Sequence, residues 1–533
     1  MSALKQLVNV IYPFLFAVYP ILHLYTSNPG EATPDHLAWP IALSVGLTLV
    51  FWSGAWVSMR DSRRASLASS VGIIVFFAYG YVFPSVLRFA LPFFGPPTPH
   101  THFANLERTV QWAMAALAVG AVCLALRRIA RLEDDSLNGL SGALSVTAGV
   151  LIAFVAAPTF FYVRSPPSKT QTDTLVTATV SSRVNLPNGT NLPDVYQIVL
   201  DGYGRRDVLA RHFNLDNGSF LEALAKEGFT VAKQSRANYY WTFLSLASML
   251  NMRHVTDLSE QLGHDTSDPT VPFKMLRDND VARFLKAQGY TIVHFASTWA
   301  GTMENNYADV QIPCAPGWFQ NNFYRAVAES SFVRVFRSRV TNDIATCHLL
   351  QLEGLAHAAD RASPKFVFAH FIPPHHPYVF DRHGNVLVSA TIADEPVANK
   401  LLWARRDLYR DQLIYMNTRV LQVVKAIIAK SRRPAVIIVH SDHGPQLVGP
   451  TGASLPEDHW ARFSNFVAIR APGSSALVPD DVELVNVYRL LLNEYFSANL
   501  TMVSGGQYYS PLNRPYAFER VSVGTLRHPV GRD

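Results

Sequence analysis

The chain has 533 residues, a formal net charge of +6, 49% hydrophobic residues and only 16% charged ones, against about 25% charged in an ordinary soluble domain. That balance excludes global disorder, which needs low hydrophobicity and high charge. Three cysteines in all exclude a disulfide-built scaffold and a Cys-rich zinc module.

Five apolar runs fill the first third, at about 7–26, 38–58, 66–92, 108–126 and 140–163. Each reaches the ~20 residues an α-helix needs to cross a hydrocarbon core about 30 Å thick. The first run has no small-residue cleavage site behind it and further spans follow, so it reads as a retained helix, not a signal peptide. The 59–65 loop carries Arg60, Arg63 and Arg64, and the 127–131 loop carries Arg127, Arg128 and Arg131. The loops around 27–37 and 93–107 contain no Lys or Arg. The positive-inside rule then places the N-terminus and both Arg loops in the cytoplasm, and an odd number of spans puts everything after residue 163 outside. An even count, with one run buried or re-entrant, would reverse that; the alternating loop charge argues against it.

Residues 164–194 are rich in Ser, Thr, Pro and Asn and read as a linker. From about 195 to 533 the pattern alternates strands and helices. Tyr196-Gln-Ile-Val-Leu200 is a short apolar run of the kind a buried parallel strand shows, and similar runs lie at Tyr290–Phe295, Lys365–Phe371 and Ala435–His440. The longest helical pattern, about 397–430, ends in Lys430-Ser-Arg-Arg433 followed by Pro434, a stop signal. Alternation of this kind predicts a mostly parallel central sheet with helices on both faces. Chemistry in such sheets gathers at the carboxyl ends of the strands.

Four polar elements sit where that rule points. Asp201-Gly202-Tyr203-Gly204 closes the first strand, and Ser441-Asp442-His443-Gly444 closes the strand at 435–440. Pro373-Pro374-His375-His376-Pro377-Tyr378 follows the strand at 365–371, and Thr242 opens an apolar helix whose next polar residue is Ser245. Taken singly, each has a plain structural reading: Asp-Gly as a turn, Thr242 as an N-cap, His375 and His376 as surface residues of a Pro-rich loop. Together, two carboxylates, a histidine and a hydroxyl suit a divalent metal; zinc accepts N and O ligands tetrahedrally, and manganese prefers more oxygen. A metal contact and a helix N-terminus would both favour the alkoxide of Thr242.

At these residues the chain resembles the alkaline phosphatase/sulfatase superfamily, in particular the membrane-anchored phosphoethanolamine transferases and lipoteichoic acid synthases. Ser441-Asp-His-Gly444 and Thr242-Phe-Leu-Ser245 carry the resemblance in motif, and the tail Tyr508-Tyr-Ser-Pro-Leu-Asn-Arg-Pro-Tyr516 resembles endings of sulfatase-like proteins from bacterial surface-glycan loci. The resemblance implies a five-span α-helical membrane domain (1–163), the linker (164–194) and an extracytoplasmic α/β alkaline-phosphatase-like catalytic domain (195–533) in a bacterial cytoplasmic membrane. It implies that Asp201, Thr242, Asp442 and His443 hold one divalent metal, Zn2+ or Mn2+, and that Thr242 is the nucleophile. It also gives His375 and His459 as substrate contacts, with Arg205 or Asp207 as supports of the first ligand.

The chain departs from the pattern in three ways: the transferases carry Glu where this chain has Asp201, Pro445 replaces a common acidic residue, and the Cys/Ser-x-Pro-x-Arg segment of formylglycine sulfatases is absent. The implied function is transfer of a phospholipid head group, phosphoethanolamine or phosphoglycerol, onto an envelope glycan or lipid. The alternatives are a phosphodiesterase or sulfuric ester hydrolase with the same ligands, and a non-catalytic lipid-binding envelope-assembly protein; the presence of all four ligand residues argues against the last. Nucleic acid is excluded as a partner by the scattered Lys and Arg, and the oligomeric state stays open. Cys314 and Cys347 either pair in an oxidising compartment or remain two free thiols; Cys123 lies within a span and is read as packing.

Overall fold

The computed structural model describes residues 3–27, 34–90, 101–164, 192–314, 322–387, 402–449, 452–474 and 476–521. The chain forms two units, Met1–Gln171 with Trp318–Val340, and Thr172–Gly317 with Thr341–Asp533. The expected 164–194 linker lies almost wholly outside the described residues.

The first unit contains α1 (Ala3–Ser27), α2 (Ala38–Met59), α3 (Ser62–Ala90), α4 (Thr101–Ile129) and α5 (Asp134–Arg164). All five are long and apolar enough to cross a membrane. Tyr12, Phe16 and Ile21 of α1 pack against Ile73 and Phe77 of α3 and Ala148 of α5. Other large apolar side chains point outward, Leu117 at 73% and Phe154 at 77% exposure, which suits a lipid surrounding. Arg63 reaches both Asp61 and Asp134 at 3.1 Å, and Arg64 donates to the Leu132 carbonyl at 2.9 Å. The two Arg-bearing turns therefore share one end of the bundle, as the alternating loop charge requires. Residues Asn322–Glu329 form a helix and Phe332–Phe336 a 3-10 turn, and both pack on these helices. Phe323 meets Tyr25 edge-on at 6.2 Å and Phe332 lies 4.9 Å from Tyr79. Gln111 donates to the Arg334 carbonyl at 2.8 Å.

The second unit is built on a seven-stranded sheet of β1 (Asp194–Leu200), β2 (Phe229–Val231), β3 (Thr291–Phe295), β4 (Val310–Ile312), β5 (Lys365–Phe371), β6 (Ala435–His440) and β7 (Val467–Arg470). The strand order is β2-β7-β6-β1-β5-β3-β4. β1, β3, β4, β5 and β6 pair in parallel, and β7 runs antiparallel to β6 and β2. The four strands expected from the sequence are β1, β3, β5 and β6; the others have only three or four residues, too short for a periodic signal. A second sheet pairs β8 (Gln507–Tyr509) with β9 (Glu519–Val521).

β1 is buried at all seven residues, which explains its unbroken apolar run. At its amino end the buried Lys365 Nζ meets Asp194 Oδ2 at 2.7 Å, and Asp194 Oδ1 accepts from the Lys365 amide at 3.1 Å, fixing the β1–β5 register. The long helix after β5 is described as Arg406–Lys430 and ends at the basic stop signal; positions 397–401 of the expected helix lie outside the described residues. Cys314 and Cys347 are joined as a disulfide with their Cα atoms 4.8 Å apart.

Two predictions follow from this packing. The disulfide spans 33 residues of sequence, so chain entropy gives it about 3–4 kcal/mol. The double variant Cys314→Ser/Cys347→Ser is expected to unfold at correspondingly lower denaturant, and reductant is expected to shift the wild type but not the variant. Separately, burial lowers His294 and His348 to about 4. Between the ordinary histidine value near 6.5 and about 4, only the unfolded chain takes up these protons, so stability falls as pH drops through that window. The slope is at most about 1.4 kcal/mol per pH unit per histidine. His348→Gln is expected to flatten the fall in unfolding midpoint between pH 7 and 5; an unchanged slope would refute the assignment.

Candidate active site

Parallel register brings the site together. Val199 of β1 lies opposite both His370 of β5 and His440 of β6, so the three strands end side by side. The Asp201 amide donates to the Phe371 carbonyl at 2.9 Å and the His375 amide to the Asp201 carbonyl at 3.1 Å. The Gly202 amide donates to Asp442 Oδ1 at 3.0 Å. Gly202 has φ +66°, and a Cβ there would stand 3.0 Å from the Trp403 ring, so both backbone and space call for glycine. A Cβ on Gly444 would lie 2.0 Å from the Ala461 carbonyl oxygen; its absence lets helix Asp458–Phe463 close over the Asp442-His443 turn.

Thr242 is the first residue of helix Thr242–Leu250. One turn on, Ser245 Oγ donates to the Asp442 carbonyl at 2.6 Å. That bond gives the Thr-x-x-Ser spacing its physical sense, because residues three apart share a helix face and anchoring Ser245 aims Thr242 at the same turn. Thr242 is half-exposed, while Asp201, Asp442 and His443 are buried.

Ligand atoms of Asp201, Asp442 and His443 all lie within 4.8 Å of one another. His443 Nδ1 lies 3.0 Å from the Gly444 carbonyl oxygen. A carbonyl only accepts, so the ring proton sits on Nδ1 and Nε2 presents its lone pair to the site. Around Nε2 stand Asp442 Oδ2 at 2.9 Å, Thr242 Oγ1 at 3.0 Å and Asp201 Oδ1 at 3.8 Å. In a tetrahedron with ~2.0–2.1 Å bonds, neighbouring ligand atoms stand about 3.3 Å apart, so these separations bracket a zinc-sized site. Asp201 Oδ1 and Asp442 Oδ2 are buried without a hydrogen-bond partner, a costly state for a carboxylate that a cation would relieve. Burial and the charge of Asp442 push the Asp201 carboxyl up. The donor set fits a divalent metal.

His375 is half-buried against Trp403, their rings 4.7 Å apart. Its Nδ1 donates to the His376 carbonyl at 2.6 Å, which leaves Nε2 as an acceptor, and burial with the neighbouring His376 pushes it well below the usual histidine value. His459 packs tilted against Tyr509, their rings 4.4 Å apart, and meets Tyr240 edge-on at 5.9 Å; among the described residues its ring makes no hydrogen bond to the cluster. Arg205 pairs with Asp207 at 2.8 Å and donates to the Ser235 carbonyl at 2.9 Å.

Sequence reasoning passed over two residues. His370, fully buried on β5, sits with Nε2 3.6 Å from Asp201 Oδ2, and Thr302 Oγ1 lies 2.8 Å from its Nδ1. Arg462, one turn after His459, places Nη2 2.8 Å from His443 Nε2. The available signals were a histidine inside an otherwise apolar strand, and an arginine at i+3 from a histidine in a short helix close behind the Asp-His pair.

The sulfatase family profile matches residues 193–467. No curated protein matches the chain. Among solved structures, the integral membrane protein lipooligosaccharide phosphoethanolamine transferase A (EptA) from Neisseria meningitidis aligns at 13% identity and a TM-score of 0.34, over 88% of this chain and 88% of that one. The C-terminal periplasmic domain of EcEptC from Escherichia coli, in complex with Zn, aligns at 12% identity and a TM-score of 0.41, over 64% of this chain and 96% of that one. The matching domain of phosphoethanolamine transferase EptC from Campylobacter jejuni aligns at 11% identity and a TM-score of 0.35, over 61% and 94%. Because the profile covers more than half of the sequence and includes Asp201, Thr242, Asp442 and His443, the chain belongs to the sulfatase family.

Proposed function

We propose that the chain is a metal-dependent phospho-group transferase that moves a phospholipid head group, phosphoethanolamine or phosphoglycerol, through a Thr242 ester onto an envelope glycan or lipid hydroxyl. The observation that carries this reading is the half-exposed Thr242 hydroxyl, 3.0 Å from His443 Nε2 and beside two carboxylates with orphaned oxygens. Asp201, Thr242, Asp442 and His443 are the residues that would hold the metal, zinc or manganese. When bound, it supplies positive charge that acidifies the Thr242 hydroxyl and offsets charge on the phosphoryl oxygens.

In the first step Thr242 Oγ1 bonds to phosphorus as the bond from phosphorus to the diacylglycerol oxygen breaks; the threonine proton leaves on the lipid alcohol. In the second, the acceptor hydroxyl bonds to the same phosphorus as the threonine ester breaks. Its proton passes by way of His375 Nε2, neutral and free to accept, to Thr242 Oγ1. One hard displacement becomes two easier ones. Threonine cannot become formylglycine, which disfavours ordinary sulfatase chemistry. Five candidate membrane helices suit a donor that cannot leave the bilayer, and the loop charges favour a site on the outer side of a bacterial inner membrane. His459 is a second substrate contact in this reading.

Two predictions test it. Intact mass spectrometry of the zinc-loaded full chain after incubation with phosphatidylethanolamine or phosphatidylglycerol is expected to show a head-group adduct, absent from Thr242→Ala. Diacylglycerol release without an adduct would favour a hydrolase, and neither adduct nor release would refute the proposal. Asp442→Asn removes a first ligand, and since outer-shell losses already cost 10–100-fold, zinc affinity is expected to fall by at least about 100-fold; unchanged affinity would refute the assigned site.

A further inference from the structure

Arg462 is 3% exposed, and its guanidinium lies near three aromatic rings, Tyr240 at 5.1 Å, Trp403 at 5.7 Å and Trp241 at 5.8 Å. Nε donates to the Tyr240 carbonyl at 2.9 Å and Nη1 to the Gly444 carbonyl at 3.2 Å. Those two bonds fix the plane of the group. The third direction, Nη2, points at His443 Nε2, the nitrogen that Thr242 Oγ1 also approaches. Among the described residues no carboxylate forms an ion pair with Arg462. Asp458, on the same helix, is engaged by Tyr240 Oη at 2.5 Å and the Leu447 amide at 2.6 Å.

A buried charge without a paired opposite charge is costly to keep. Here the cost has a use. The proposed metal would take the His443 lone pair and leave Nη2 a donor without an acceptor, next to the Thr242 hydroxyl. Two carboxylates balance one divalent cation. What then remains is a single positive charge, carried by a planar fork suited to phosphoryl oxygens.

Building on the transferase reading above, we infer that Arg462 binds a non-bridging oxygen of the transferred group, and that the site is matched to a phosphodiester with one negative charge, not to a doubly charged phosphomonoester. The aromatic surround keeps the guanidinium dry, which strengthens its bond to an anion.

The test uses the detergent-solubilised, zinc-loaded full chain and two soluble probes, glycerophosphoethanolamine and glycerophosphoglycerol, titrated separately by phosphorus NMR. Which probe binds more tightly identifies the head group. Arg462→Gln is expected to weaken diester binding about 10- to 100-fold, the range for a lost charge-assisted hydrogen bond, with zinc affinity unchanged. Arg462→Lys is expected to fall between, keeping charge without the fork. Because Arg462 also bonds two carbonyls, Arg462→Ala is examined with added guanidinium ion, which is expected to restore diester binding; a purely structural arginine would show no rescue. Wild-type affinity in a folded, zinc-binding Arg462→Gln would overturn the inference and leave the transferase reading standing. Loss of zinc together with diester, without rescue, would also overturn it. A zinc-loaded wild type that binds neither diester would overturn both.

Discussion

Two carboxylates are buried within reach of one imidazole nitrogen, and much of the second unit can be understood from what that requires. Asp201 Oδ1 and Asp442 Oδ2 face inward without partners, so their mutual repulsion is relieved only by groups brought from elsewhere in the chain. Parallel pairing of β1 with β5 and β6 aligns the three strand ends. The Gly202 amide takes the second oxygen of Asp442, His370 faces the second oxygen of Asp201, and the guanidinium of Arg462 reaches the same His443 nitrogen. The helix carrying Thr242 is pinned to the same turn by Ser245. A scaffold this invested in holding negative charge apart from water is organised around a cation.

The sequence made part of this legible, for physical reasons. Strands buried on both faces must be apolar throughout, so β1, β3, β5 and β6 announce themselves, and the parallel rule then directs attention to Asp201, Asp442 and His443 behind them. Thr242 stands out because a polar residue opening an apolar helix is locally conspicuous. Short elements such as β2, β4 and β7 carry too few residues to show a period. Arg462 was not legible because arginine is ordinarily a surface residue. Its burial comes from Tyr240, Trp241 and Trp403, residues far from it in sequence. The resemblance pointed instead to His459, three positions earlier. His370 was hidden by its neighbours, since one histidine inside a strand of Phe, Val and Ala reads as core.

In the helical unit, length and hydropathy were enough to find the five candidate spans, and the loop arginines were enough to order them. The segment Trp318–Val340 was not separable in the same way. Its helix has only eight residues, Asn322–Glu329, and its partners, Tyr25 and Tyr79 among them, are hundreds of positions away in the chain. Contacts at that range leave no trace in a local pattern.

The Cys314–Cys347 bond brackets that same segment. Between the two cysteines the chain sets Phe323 and Phe332 among the apolar helices, and the bond closes this stretch into a covalent ring. A protease that cut anywhere within it would produce two polypeptides that still migrate as one until a reductant is added. The nicked protein would keep β3 and β5, which lie on either side of the cut, in one molecule, with the strand ends that carry the site still joined.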